Sequence, residues 1–97
     1  MILEVAVLDI RSGLTTEFEA AFKTASPIIA SMSGYISHEL QHCLEISHRY
    51  ILLVRWQTLA DHTIGFRQSP EYQQWKALLH HFYDPFPVVE HYHNVDE

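Results

Sequence analysis

One cysteine, three glycines and six Lys and Arg residues are all that this chain of 97 contains of those types. With Cys43 alone, neither an intrachain disulfide nor a thiolate metal cluster can form, and a lone thiol suits a reducing cytoplasm. Against these six cations stand twelve carboxylates, which gives a formal charge of −6. Such a surface repels phosphate backbones and anionic lipid, so neither nucleic acid nor a membrane is an expected partner. The longest aliphatic run, Ile51-Leu52-Leu53-Val54, is far too short to span a bilayer. The opening Met1-Ile2-Leu3-Glu4 has no basic segment and no long apolar one, so no signal peptide is expected. No G-x-G-x-x-G opens a helix, and there is no P-loop, no H-E-x-x-H and no G-x-S-x-G. Dinucleotide, nucleotide, zincin and serine-hydrolase chemistries therefore have no local signature.

What is abundant is apolar. Hydrophobic types make up 47% of the chain and aromatics 12%, ample for one packed domain over residues 1–97. A chain this short buries only about 60–65% of its unfolded surface, which favours a partner subunit. Residues 2–10 read as a strand, with Ile2, Ala6, Leu8 and Ile10 alternating against Leu3, Val5 and Val7. Leu14, Phe18, Phe22, Ala25, Ile29 and Met32 then recur at helical spacing. Thr16 with Glu19 resembles a capping box, with Ser12 as the other candidate cap. Pro27 should kink this helix and Gly34 should end it. Residues 35–44 and 49–57 read as a strand hairpin. A short helix follows from Thr58 to about Phe66, and Ser69-Pro70-Glu71 marks a stronger helix start. Residues 88–95 read as a last strand.

The order β-α-β-β-α-β is the ferredoxin-like split arrangement, an antiparallel sheet with both helices on one face. Several strands are apolar on both faces. The natural cover for the second face is another copy of the same sheet, so a homodimer through the sheet faces is expected.

Eight histidines is a high count. His91 and His93 share a strand face about 6.6 Å apart, a spacing that can chelate a metal or simply end a polar strand. His38 and His42 share a face too, but at about 13 Å they cannot hold one ion. His80-His81 falls in a last helical turn, where an imidazole complements the dipole. His62 lies just past the strand that ends at Trp56 and one turn before Phe66. Set between aromatics, it suits a general base, or a packed histidine fixing the strand–helix corner. Arg55 faces away from Trp56 and calls for a carboxylate, Glu39 or Glu90, across the strands. Trp56, Phe66, Tyr72, Trp75, Phe82, Tyr83 and Phe86 concentrate aromatic surface in the C-terminal half, as core or as the walls of a pocket for a flat ligand.

The run Arg55-Trp56-x-x-Leu59-x-x-His62-x-x-Gly65-Phe66-Arg67-x-Ser69-x-x-Tyr72-x-x-Trp75 resembles the antibiotic biosynthesis monooxygenase domain family. Gly34-Tyr35 and Val89-Glu90-His91-Tyr92 support the resemblance, which spans nearly the whole chain. It implies a homodimeric α+β barrel and, for several members, oxygenation of quinols or anthrones without metal or flavin. Other members degrade haem or isomerise small molecules. The haem-degrading pattern is broken here: the first strand has no Asn, Phe66 replaces a Trp, and Lys76 falls where the ligand His would be. The expected function is a cofactor-independent, cytoplasmic monooxygenase acting on a small aromatic substrate. His62 is its expected proton acceptor and His38 the second candidate. Trp56, Phe66, Tyr72 and Trp75 are its expected substrate-binding residues. A non-catalytic ligand-binding module, an isomerase and a haem binder using His80 are the alternatives.

Overall fold

The computed structural model describes residues 1–96. Strand β1 (Ile2–Asp9) leads through helix α1 (Thr15–Ala30) to the hairpin β2 (Tyr35–His42) and β3 (Arg49–Trp56). A single π-helical turn (Asp61–Phe66) precedes helix α2 (Pro70–Leu79), which tightens into a 3-10 turn (His80–Phe82) before β4 (Val89–Tyr92). The strands lie in the order β2-β3-β1-β4, every neighbouring pair antiparallel. This is the ferredoxin-like α+β fold expected from the element order.

Alternation decides what each strand covers. Glu4, Ala6, Leu8 and Ile10 point inward from the β1 side, and Tyr50, Leu52, Val54 and Trp56 point inward from β3. The helices supply Phe18, Phe22, Ala25 and Ile29 from α1, and Trp75 and Leu79 from α2, and the two helices pack on each other. Burial of these side chains, each worth about 1.5–3 kcal/mol, is what holds the helices on the sheet. The opposite sheet face carries Leu3, Val5, Val7, Ile51 and Leu53, all partly or fully exposed. Arg55 lies on that face beside Glu39, Nη1 to Oε2 3.7 Å, as the alternation required.

The helix ends differ from the sequence reading. Neither Thr16 nor Ser12 caps α1. Its N-cap is Leu14, which has no side-chain cap bond, because the turn at Arg11–Leu14 closes through the backbone instead. Pro27 sits inside the helix, which continues to Ala30. Gly34 lies beyond the helix and opens β2 at a φ of 83°. By contrast, Ser69 caps α2 as its sequence indicates, its hydroxyl accepting from the Tyr72 amide at 3.1 Å, with Pro70 at the first helical position.

Gly34 matters for the site because it lets the chain after β3 fold close. A Cβ there would stand 2.2 Å from Cγ and 2.7 Å from Cβ of Asp61. Asp61 cannot retreat easily, since its carboxylate accepts from the Thr58 amide and hydroxyl. Gly13 has a similar φ of 77° but open space around it. Gly34→Ala should therefore cost clearly more than Gly13→Ala. The backbone penalty alone is about 1–2 kcal/mol at both sites, and the Asp61 clash adds to it only at the first. Urea unfolding of the two variants measures the difference, and equal losses would mean that Asp61 does not press on Gly34.

Candidate active site

The two helices divide the space above the sheet unequally. On the β2–β3 side, α1 packs Phe18 against Tyr50 and Phe22 and fills the interior. On the β1–β4 side, α2 offers only two fully buried side chains, and a cavity of about 220 Å³ remains beneath it. Ala6, Leu8 and Leu52 form its floor and Tyr72 and Trp75 its helical wall. Phe66 and Arg67 close one end, and His80, Tyr83, Phe86 and Pro87 the other. The segment carrying Tyr83 is anchored by an Ile10–Tyr83 bridge and by the Arg11 amide donating to the Phe82 carbonyl at 2.8 Å.

One acid stands in this apolar wall. Glu4 is an inward residue of β1, only 5% exposed, and its Oε1 accepts a 2.9 Å hydrogen bond from the Trp56 indole. The same oxygen lies 3.3 Å from Nε2 of His62, itself 3% exposed. The π-helical turn brings His62 there. It begins five residues after β3 ends and lays the imidazole on Trp56, ring centroids 5.4 Å apart and planes 18° from parallel. π-Helical turns are rare and collect at functional sites. On the far side of the ring, Nδ1 of His62 lies 2.8 Å from Nε2 of His91. His91 is placed by register, directly opposite Glu4 across the β1–β4 pair.

Burial sets the electrostatics. It pushes the Glu4 carboxyl up to about 7, against the partial opposition of the Trp56 N–H and the Arg67 guanidinium. Burial pushes His62 down to about 3, helped by Arg67 and His91. His80 and His91 are lowered chiefly by burial, and the Tyr83 phenol is raised by it. Near neutrality the site thus combines uncharged imidazoles with a carboxyl divided between its acid and base forms. That is the condition a general base or acid needs at neutral pH.

Of the residues expected from the sequence, His62, Phe66, Tyr72 and Trp75 all line this cavity. Phe66 meets Tyr72 and Trp75 edge-on, at 5.2 and 5.7 Å between centroids. Trp56 does not line it: wholly buried, it stands behind His62 and holds Glu4. His38 is elsewhere. It belongs to the β2 edge under α1, against Phe22, with Tyr35 hydrogen-bonded to its Nδ1. A register shift between Tyr35 and Ser37 puts Tyr35 and His38 on the same inward face. His91 and His93 do not act as a pair, because His91 turns inward to His62 while His93 stays exposed beside the Asn94 carbonyl. Among the described residues no three His, Cys, Asp or Glu side chains gather in a metal-binding arrangement. Glu4, Arg67 and His91 were not among the expected site residues. For Glu4 the signal was available: an acid at the one inward position between Ile2 and Ala6.

The buried pair makes stability depend on pH in two opposing ways. Glu4 rises from 4.5 to about 7 on folding, so its contribution is full below pH 4.5 and is lost as the pH climbs through 7. His62 falls from 6.5 to about 3, so its contribution is full above pH 6.5 and is lost as the pH falls toward 3. Above pH 6.5 only Glu4 still acts. Glu4→Gln keeps an oxygen for the Trp56 N–H and removes the charge. Relative to the wild type, it should gain roughly 3 kcal/mol in stability between pH 5 and pH 8. Urea unfolding at the two pH values tests this, and a constant difference would mean that the carboxyl is not desolvated.

The comparisons with known proteins agree with this architecture. The family model for antibiotic biosynthesis monooxygenase matches residues 1–78. The uncharacterized protein YczJ of Bacillus subtilis (strain 168) is 60% identical over 95 residues, covering 98% of this chain and all of that protein. A solved family structure from Bordetella bronchiseptica has a TM-score of 0.92 at 32% identity, covering 97% of this chain and 96% of that one. SnoaB from Streptomyces nogalater, a cofactor-independent oxygenase, shares the fold with a TM-score of 0.72 at 17% identity, covering 99% and 97% of the two chains. The family match takes in β1, β3, the π-helical turn and most of α2, which carry the cavity's floor and helical wall, and the chain belongs to the antibiotic biosynthesis monooxygenase family.

Proposed function

We propose that this protein is a cofactor-independent monooxygenase acting on a quinol or polyphenolic aromatic, with dioxygen as co-substrate. The observation that carries the reading is Glu4: a single carboxyl at the wall of an aromatic-lined cavity, held by Trp56 and beside His62. His62, the acceptor expected from the sequence, has both ring nitrogens engaged, so we assign the base to Glu4 and its positioning to His62. His38 has no part in this assignment.

The chemistry asks little of the protein. Glu4 takes the proton of an activated phenol or of the carbon acid conjugated to it. The resulting anion gives one electron to dioxygen, and the radical and superoxide join in a C–O bond. The proton on Glu4 returns to the peroxide, which loses water as a carbonyl forms. For a methylene carbon the balance is R2CH2 + O2 → R2CO + H2O. The cavity excludes water, orients the ring between Phe66, Tyr72 and Trp75, and supplies the base. At about 220 Å³ it lies below the roughly 300 Å³ where ligand pockets usually begin, so it suits one or two fused rings. We also propose that the working unit is a homodimer joined through the Leu3, Val5, Val7, Ile51 and Leu53 face. A cytoplasmic setting fits the lone Cys43. No helix among the described residues is long and apolar enough to cross a membrane.

Oxygen uptake by metal-stripped protein with a panel of one- and two-ring quinols, corrected for autoxidation, tests the activity. Saturable uptake should rise with pH about a midpoint near 7, as Glu4 loses its proton, and Glu4→Gln should lower kcat/KM by about 10²–10⁴. No uptake above autoxidation would leave a ligand-binding module. For the assembly, sedimentation should give twice the 11.3 kDa chain mass, and Leu53→Asp should return it to one; a wild-type mass of one chain would refute the dimer.

A further inference from the structure

Glu4 is 5% exposed, at the wall of a cavity that a bound substrate would cover, yet a base must change its proton between states. The cavity would hold the substrate on one side of the carboxyl, and on the other a polar contact to His62 and a hydrogen bond from His62 to His91 lead away. Glu4 Oε1 is 3.3 Å from His62 Nε2, and His62 Nδ1 is 2.8 Å from His91 Nε2. The three groups come from three separate elements, β1, the π-helical turn and β4. His91 is only half-buried, and among the described residues its Nδ1 has no hydrogen-bond partner while no buried polar side-chain atom lacks one, so Nδ1 is open to solvent.

We propose that Glu4, His62 and His91 form a proton wire through which the buried carboxyl exchanges its proton with solvent at β4. This rests on the assignment of Glu4 as the base of the proposed reaction.

A neutral imidazole has one N–H and one lone pair, so His62 can bridge its neighbours in only two ways. With Glu4 ionised, His62 donates through Nε2 to the carboxylate and accepts at Nδ1 from His91 Nε2. With Glu4 protonated, the carboxyl O–H donates to His62 Nε2, and His62 donates through Nδ1 to His91 Nε2. Conversion of the second arrangement into the first moves one proton along each link. The carboxyl proton passes to His62 Nε2, the His62 Nδ1 proton passes to His91 Nε2, and His91 releases its own Nδ1 proton to water. One proton leaves, the carboxylate is ready, and both imidazoles end neutral. The reverse shift reloads the carboxyl, so the buried His62 ring need not turn over.

The surroundings leave the wire as the titrating element. Arg67 acts electrostatically on Glu4 and on both imidazoles. Around the cavity, Tyr72 and His80 face it from α2 and its end, and Tyr83 from the segment after it. Burial lowers His80 and raises the Tyr83 phenol, which favours the neutral form of each. On β4 itself the neighbours of His91 are Glu90 and Tyr92, which point to the opposite face and bond each other.

Nitrogen-15 spectra of histidine-labelled protein read the wire without any turnover. From about pH 5 to about pH 9, His62 should pass from its Nδ1–H to its Nε2–H tautomer. His91 should change from Nδ1–H to Nε2–H with the same midpoint, near 7. Glu4→Gln should abolish both changes. In the wild type each ring should give one averaged set of signals near the midpoint. In His91→Gln, His62 should split into two slowly exchanging sets, because the path to water is cut. A single His62 tautomer across the range would overturn the proposal, as would tautomer changes that survive Glu4→Gln, or averaging that survives His91→Gln. A protein inactive toward every quinol could still pass this test, and an active one could fail it.

Discussion

A carboxyl at an inward strand position has to be solvated by the protein, and the arrangement around Glu4 follows from that requirement. Its Oε1 takes the Trp56 indole N–H and faces the His62 imidazole. Each of these donors is costly to place. Trp56 must end β3 one register step from Glu4, and the chain must then turn at once to lay His62 on the indole. A standard helical start leaves less room for that turn, and the π-helical turn with Asp61 tucked against Gly34 provides it. Removing any one of these supports leaves a buried polar group without its partner, which costs more than the bond itself contributed.

The same requirement explains why the two halves of the interior differ. Under α1 the aromatic rings interlock, Phe18 touching Phe22, Tyr50, Phe82 and Tyr83. Nothing there needs access, and the space is filled. Under α2 the rings of Phe66, Tyr72 and Trp75 meet edge to edge and frame a space that they do not fill. An unfilled apolar cavity costs stability, by about 24 cal/mol for each Å³ in one mutational series. Its position beside the buried carboxyl makes that cost intelligible as the room left for a substrate.

Local signals carried the fold. The alternation in β1 and β3 and the Ser69-Pro70 helix start each depend on a few adjacent residues, and each appears where the sequence places it. Local signals also misled, as at Thr16 and Ser12, where a good capping residue lost to a turn closed by the backbone. The site was legible in part. The aromatic spacing from Phe66 to Trp75 lies within one helix-bearing segment, so its convergence could be read. The Glu4–His62–His91 line could not, because it depends on the register of β4 against β1, and so on a pairing between residues 87 apart in sequence. His38 shows the complementary limit. Its inward position comes from the register shift after Tyr35, and which helix covers β2 depends on the strand order, which puts β3 between His38 and the carboxyl.

The pairing of Glu4 with a neutral imidazole rather than a cation has a chemical consequence. A Lys or Arg in contact with the carboxyl would stabilise its charge and hold its pKa low, leaving a base too weak for a phenol. Arg67 does act in that direction, but as a secondary influence, and burial dominates. His62 cannot become a cation at neutral pH, since burial, Arg67 and His91 all disfavour its charged form. It therefore positions the carboxyl without neutralising it, and it does so through a group that can both give and take a proton. An amide at position 62 could hold Glu4 equally well, but it could not pass a proton on. The choice of imidazole at that point, with a second imidazole behind it, is what turns a structural hydrogen bond into a path.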